Sequence, residues 1–269
     1  MTEAALERIL RHDRILVIAA ILAVTALAWA YIVSISIAPP GQSSIMADMP
    51  GMEMAQPSFT PWGPATFAFM FVMWTIMMVG MMLPSATPMV LIYAGVARRA
   101  VAHGKPFAAV AWFVGGYLFA WFGFALMATL AQWALESTLL LTPMGKADNA
   151  FGGGVLIIAG LYQWSPLKDH CLSQCQSPLL FVQRHGGFQR SPRGSFSLGT
   201  RHGLYCVGCC WTLMLLLFVA GIMNLLWIAG LAVFVLIEKT VPAGRWLSRF
   251  IGICLILSGV ALSTGLLTG

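Results

Sequence analysis

Two stretches of this chain restrict its fold more than anything else in it. Residues 15–38 form a run of 24 residues without a charged side chain, and residues 203–237 form another of 35. A helix needs about 20 apolar residues to cross the hydrocarbon core of a bilayer, so the first run is one crossing. The second would extend to about 50 Å as a single helix, which is too long. It divides most naturally near Gly221 and Asn224, where a tight turn fits. Composition points the same way, with 59% hydrophobic and only 9% charged residues, against about 25% charged in soluble domains. So few charges leave too little polar surface for a soluble domain of this size.

The remaining apolar stretches cover residues 66–98, 107–135, 150–164 and 246–267. The expectation is therefore an all-α, polytopic transmembrane helical bundle of about seven spans, with residues 1–269 as a single transmembrane domain. The first run begins like a signal peptide, but it is long for one, and Ala38-Pro39-Pro40 is a poor cleavage site. Pro84 and Pro88 should kink or break the second span. Gly152-Gly153-Gly154 at the start of the short fourth span suits close packing against a neighbouring helix.

The net charge of +6 would suggest nucleic acid in a soluble protein. Its distribution gives it another meaning. With the N-terminus in the cytoplasm, all of the 15 Lys and Arg residues except Lys146 fall on the cytoplasmic side of a seven-span chain, the asymmetry expected of a membrane protein. A lipid bilayer, and no nucleic acid, is then the expected surrounding. The same orientation makes residues 39–64 an outer Met-rich loop and residues 165–201 a cytosolic Cys-containing loop.

Cys206, Cys209 and Cys210 form a Cys-x-x-Cys-Cys pattern at the cytoplasmic start of the fifth span. Offsets of three and four share a helical face, and His202 lies one turn earlier on the same side. The preceding loop carries Asp169-His170-Cys171-x-x-x-Cys175, a second thiol pair on the same side of the membrane. Disulfides are rare in a reducing compartment, so metal binding is the better reading. Thiolates select Cu(I), Zn or iron–sulfur clusters, and the spacing does not choose among them. Cys254 reads as a small residue filling a helix interface.

Methionine follows a parallel pattern. Met46, Met49, Met52 and Met54 lie in the outer loop, where an apolar thioether has little to bury and would suit Cu(I). In the second span Met70, Met73, Met77 and Met81 share a stripe of about 80°, which fits packing as well as passage of a soft ion. Counted inward from Arg98 and Arg201, Met89 would lie at the depth of Cys209 and Cys210.

Three separated motifs carry a resemblance. They are Trp74-Thr-Ile-Met-Met-Val-Gly-Met-Met-Leu-Pro, Pro166-Leu-Lys-Asp-His-Cys-Leu-Ser-Gln-Cys-Gln-Ser-Pro and Cys206-Val-Gly-Cys-Cys-Trp-Thr-Leu-Met. In order over roughly residues 60–265, they resemble the bacterial predicted metal-binding integral membrane proteins, a family built on a domain of unknown function. The resemblance implies a metal-binding membrane protein of the bacterial cytoplasmic membrane. Met77, Met78, Met81, Met82, Pro84 and the five cysteines at 171, 175, 206, 209 and 210 match its pattern. His170 and His202 receive no ligand role from it.

The leading expectation is a protein that binds, translocates or delivers Cu(I), with Zn or another soft metal as the alternative cargo. Its expected ligands are Cys171, Cys175, Cys206, Cys209, Cys210, His170, His202, Met73, Met77 and Met81, and its expected partner is a soluble metal chaperone or acceptor. Thiol–disulfide redox chemistry is the alternative function, disfavoured because the thiols lie on the cytosolic side. A metal-dependent enzyme using Asp169 and His170 is a minor third. Glu136 and Glu238 at span ends, and Tyr162, read as interfacial residues, while His12, His103 and His185 read as solvated.

Overall fold

The computed structural model describes residues 3–37, 62–104, 108–138, 148–241 and 244–264. The outer Met-rich loop, with Met46, Met49, Met52 and Met54, lies outside the described residues, as does Lys146. Every element among the described residues is helical. In chain order they are α1 (Glu3–Ile37), α2 (Pro64–Ala102), α3 (Val110–Ser137), α4 (Asn149–Tyr162), α5 (Pro166–Gln176), α6 (Pro178–Arg184), α7 (Pro192–Leu215), α8 (Leu217–Ala220), α9 (Leu225–Thr240) and α10 (Gly244–Ser263).

Five stretches among the described residues are long and apolar enough to cross a membrane: Arg14–Ile37, Pro64–Ala102, Val110–Ser137, Pro192–Ala220 and Gly244–Ser263. At 1.5 Å per residue, the 14 residues of α4 and the 16 of α9 extend only about 21–24 Å. The turn expected in the long uncharged run is present. Gly221 takes a positive φ of 92°, and the Asn224 side chain accepts from Trp227 N at 3.2 Å to start α9.

Neither Pro84 nor Pro88 ends α2, which runs 39 residues through both. The fifth apolar span also begins earlier than its uncharged run suggests. Ser191 caps α7 by accepting from Gly194 N at 3.1 Å, with Pro192 in the first turn. Cys206 therefore sits fourteen residues, or about 21 Å, inside the helix.

Small residues set the helix spacings. A Cβ on Gly199 would run into the Phe113 carbonyl, one on Gly116 into the Phe196 carbonyl, and one on Gly203 into Ala120 and Tyr117, so α3 and α7 lie in backbone contact. Gly153 and Gly160 meet Gly259 and Gly252 in the same way, seating α4 on α10 as the glycine run predicts. Gly80 of α2 rests against Ala28 and Ile32 of α1.

The chain between α4 and α7 folds back onto the bundle. Leu172 of α5 and Phe181 of α6 are fully buried. Outward faces carry Phe119, Phe122, Met127, Ile158, Leu226, Phe250 and Leu257 exposed, an apolar exterior suited to lipid.

Candidate metal centre

Antiparallel register brings α2 and α7 to the same point. Tyr93 of α2 lies 2.5 Å from Ser195 Oγ near the start of α7, and eleven residues along each helix Met82 comes level with Cys206. Tyr117 of α3 bridges them, with its hydroxyl donating to the Met82 carbonyl at 3.0 Å and lying 3.1 Å from Cys206 Sγ. Met82, rather than Met89, thus shares the level of the thiols, because α7 starts nine residues before Arg201.

Cys206, Cys209 and Cys210 are all buried, on the shared face that their spacing predicts. Cys209 and Cys210 donate to the Cys206 carbonyl at 3.1 and 3.0 Å. Cys175 of α5 lies beside Cys206 and Cys209, and the nearness of those two sulfurs holds its thiol well above the usual range. Four thiols from two segments therefore meet. Cys171 approaches on the other side of the same turn, where a Cβ on Gly208 would lie 2.9 Å from its sulfur. Burial pushes the Cys171 thiol up.

The other expected ligands are placed differently. His202 is 3% exposed, with an Nδ1 that lacks a partner. Its ring lies 5.1 Å from that of Phe181, 5.8 Å from Tyr117 and 6.0 Å from Phe113. His170 is exposed on α5, its ring 6.0 Å from Tyr205. Met73, Met77 and Met81 are buried in the core. The thioether that shares a neighbour with the thiols, the Lys239 ammonium, is that of Met82, next along α2 and about 100° further round the helix.

Several groups with prominent roles here read as ordinary from sequence. Lys239, counted as a basic loop residue, is 5% exposed. Its ammonium donates to Cys206 Sγ at 2.9 Å and to Ser85 Oγ at 3.4 Å, with Cys210 Sγ and Met82 Sδ each at 3.9 Å. Lys168, also counted as a loop charge, pairs with Glu238 at 2.6 Å, both side chains almost fully enclosed. Lys168 further donates to the Gln163 side-chain amide oxygen, and Ser248 donates to Glu238.

Glu238 is thus enclosed in an ion pair, and Tyr162 ties α4 to α7. The Tyr162 hydroxyl donates to the Gly208 carbonyl at 2.5 Å, between the cysteines, and its ring packs edge-on against Trp211. Tyr162→Phe should lower stability by about 1 kcal/mol, the usual net value of one hydrogen bond, measurable as a fall in Tm in detergent. Glu136 is likewise enclosed, accepting from Trp62 at 2.9 Å and Gln132 at 2.8 Å. His185 is half-buried, its Nδ1 2.8 Å from the Phe181 carbonyl. The one signal that sequence offered for these groups was a charged or polar residue inside or beside an apolar run.

A family model described as PpoB2, a copper chaperone, matches residues 71–262. The chain belongs to that family. No curated protein and no solved structure matches it. The PpoB2 match covers α2 through nearly all of α10, and so includes every residue of the thiol cluster, Met82 and Lys239.

The donors present suit copper. Thiol and thioether sulfur are the soft ligands that favour Cu(I), and Cys171, Cys175, Cys206, Cys209, Cys210 and Met82 all pack in the same core. Among the described residues, no three His, Cys, Asp or Glu side chains are already arranged to hold a metal ion. The reason is local, since Cys209 and Cys210 are turned back to a helix carbonyl. Rotation about χ1 frees each at the cost of one weak hydrogen bond.

Proposed function

We propose that this chain is a membrane-embedded copper chaperone that receives Cu(I) at the Cys175, Cys206, Cys209 and Cys210 cluster, with Cys171 beside it, and hands it to a soluble acceptor. The observation that carries the reading is the meeting of four thiols from α5 and α7, inside the region matched by a copper-chaperone family. Zn, which four thiolates also accept, is the alternative cargo, and the copper-chaperone family match favours Cu(I) over it.

In this reading the protein sits in the bacterial cytoplasmic membrane with its N-terminus inside. The five long helices and the shorter α4 and α9 make seven crossings. The outer segment with Met46, Met49, Met52 and Met54 captures the ion. The α2 thioethers, Met73, Met77 and Met81 among them, line its way to the thiols, and Met82 meets it there. His202 stands one turn before Cys206, and His170 marks the cytosolic surface through which the metal leaves. Transfer from thioether to thiolate runs toward the stronger Cu(I) ligand and so favours inward delivery.

The test is an anaerobic Cu(I) titration of the full chain in detergent, in competition with a chromophoric Cu(I) chelator. Wild type should retain Cu(I), and Cys206→Ser/Cys209→Ser should bind it at least about a hundredfold more weakly, a loss of about 2.7 kcal/mol. Unchanged affinity in the double variant, or retention of zinc alone by wild type, overturns the copper reading.

A further inference from the structure

Lys239 is an unusual neighbour for a metal site. Its ammonium is enclosed at the end of α9, and its contacts are sulfur and hydroxyl: Cys206 Sγ, Cys210 Sγ, Met82 Sδ and Ser85 Oγ. The adjacent carboxylate, Glu238, is committed to Lys168. The other ion pair among the described residues joins Arg249 to Asp169. A buried ammonium needs a counter-charge, and among its contacts only a thiol can supply one, with Cys206 the nearest at 2.9 Å.

The geometry points to Lys239 as a placeholder cation in a subsite formed by Cys206, Cys210 and Met82, one that selects a singly charged soft metal over a doubly charged one. The inference rests on the copper reading above and adds a ligand from α2 and a residue that sets charge selectivity. Three sulfur atoms from two helices lie within 3.9 Å of one positive charge. Either ion entering between them displaces the lysine side chain, which swings aside by rotating its own torsions but stays enclosed nearby, and a monovalent ion sets only one positive charge beside it. A dication brings a second positive charge next to an ammonium that is still enclosed, in surroundings where opposing charges are poorly screened. Soft sulfur already disfavours hard ions. Lys239 adds discrimination against Zn(II), which sulfur alone accepts.

The experiment compares Ag(I), a redox-inert monovalent soft ion, with Zn(II) on the full chain in detergent under reducing conditions, reading dissociation constants by calorimetry. The quantity of interest is the ratio of the two affinities, in which a general loss of thiol reactivity cancels. Lys239→Met and Lys239→Gln should lower the Ag(I)-over-Zn(II) preference at least about tenfold, while Lys239→Arg, which keeps the charge, should hold it within about threefold. Met82→Leu, a volume-conserving change, should weaken Ag(I) about tenfold and leave Zn(II) nearly unchanged, since it removes only a soft donor. An unchanged ratio in folded Lys239→Met or Lys239→Gln overturns the selectivity role. Unchanged Ag(I) affinity in Met82→Leu overturns the subsite. If Cys206→Ser/Cys209→Ser fails to weaken Ag(I), the copper reading itself has failed, whatever the lysine does.

Discussion

Glu238→Gln should lower the stability of the protein by about 3–5 kcal/mol, the usual cost of leaving one member of a buried ion pair alone. Lys168 and Glu238 lie 2.6 Å apart with side chains 1% and 0% exposed. The pair holds several elements together. Lys168 comes from α5 and also donates to Gln163 at the end of α4, while Glu238 comes from α9 and accepts from Ser248 of α10. Replacing the carboxylate by an amide leaves an enclosed ammonium facing neutral dipoles, whose attraction does not offset its desolvation. The measurement is thermal unfolding in detergent, where a large fall in Tm is expected. Lys168→Met/Glu238→Leu should recover most of the loss, since two apolar groups replace a buried pair at little cost. A double variant as unstable as Glu238→Gln would show that the charges are not the source of the effect.

Gly199→Ala is the second large effect expected, about 3 kcal/mol, at the upper end of overpacking changes. Its new methyl group would meet the Phe113 carbonyl oxygen, carbon and Cα, which are backbone atoms that no rotamer change can move away. Helices α3 and α7 must then separate, and Tyr117 moves with α3 away from Cys206 and from the Met82 carbonyl it ties down. Cu(I) affinity should fall together with Tm. Gly123 lies on the same α3 helix with open space where a Cβ would be placed, so Gly123→Ala is the control and should leave both nearly unchanged. Equal losses at positions 199 and 123 would mean that the close approach of α3 to α7 does not govern these sites, since helix propensity alone favours Ala over Gly at both.

Particular residues mark how far sequence reasoning reached. The shared face of Cys206, Cys209 and Cys210 was legible because it depends only on helical periodicity over five residues. The glycine contact between α4 and α10 was legible because a Gly run in an apolar helix has few other uses. Met82 was harder to assign. Seven methionines lie between Met70 and Met89, and a stripe at correct spacing singled out Met73, Met77 and Met81. Which face of α2 meets the thiols is decided by its antiparallel alignment with α7, set by Tyr93 with Ser195 and by Tyr117 with Met82. Lys168 and Lys239 were misplaced for a related reason. A count of basic residues treats every lysine near a span end as facing water, yet these two turn inward, one to a carboxylate and one to sulfur.

Periodic, local properties were therefore settled by the sequence alone: an all-helical chain, long apolar segments, a turn near Asn224, and soft donors grouped within one helical turn. Each follows from backbone geometry and hydrophobic burial acting over a few residues. The identity of the groups around those donors depended on tertiary structure, because Cys175, Met82, Tyr117 and Lys239 come from four different helices. Their approach depends on register between helices, which is set by glycine contacts and single long-range hydrogen bonds, and no periodicity in one segment encodes it. The fifteen basic residues of the sequence thus serve two ends. Most fall where the sequence reading expects one side of a membrane, while Lys168 pairs with Glu238 and Lys239 places a positive charge among the thiols.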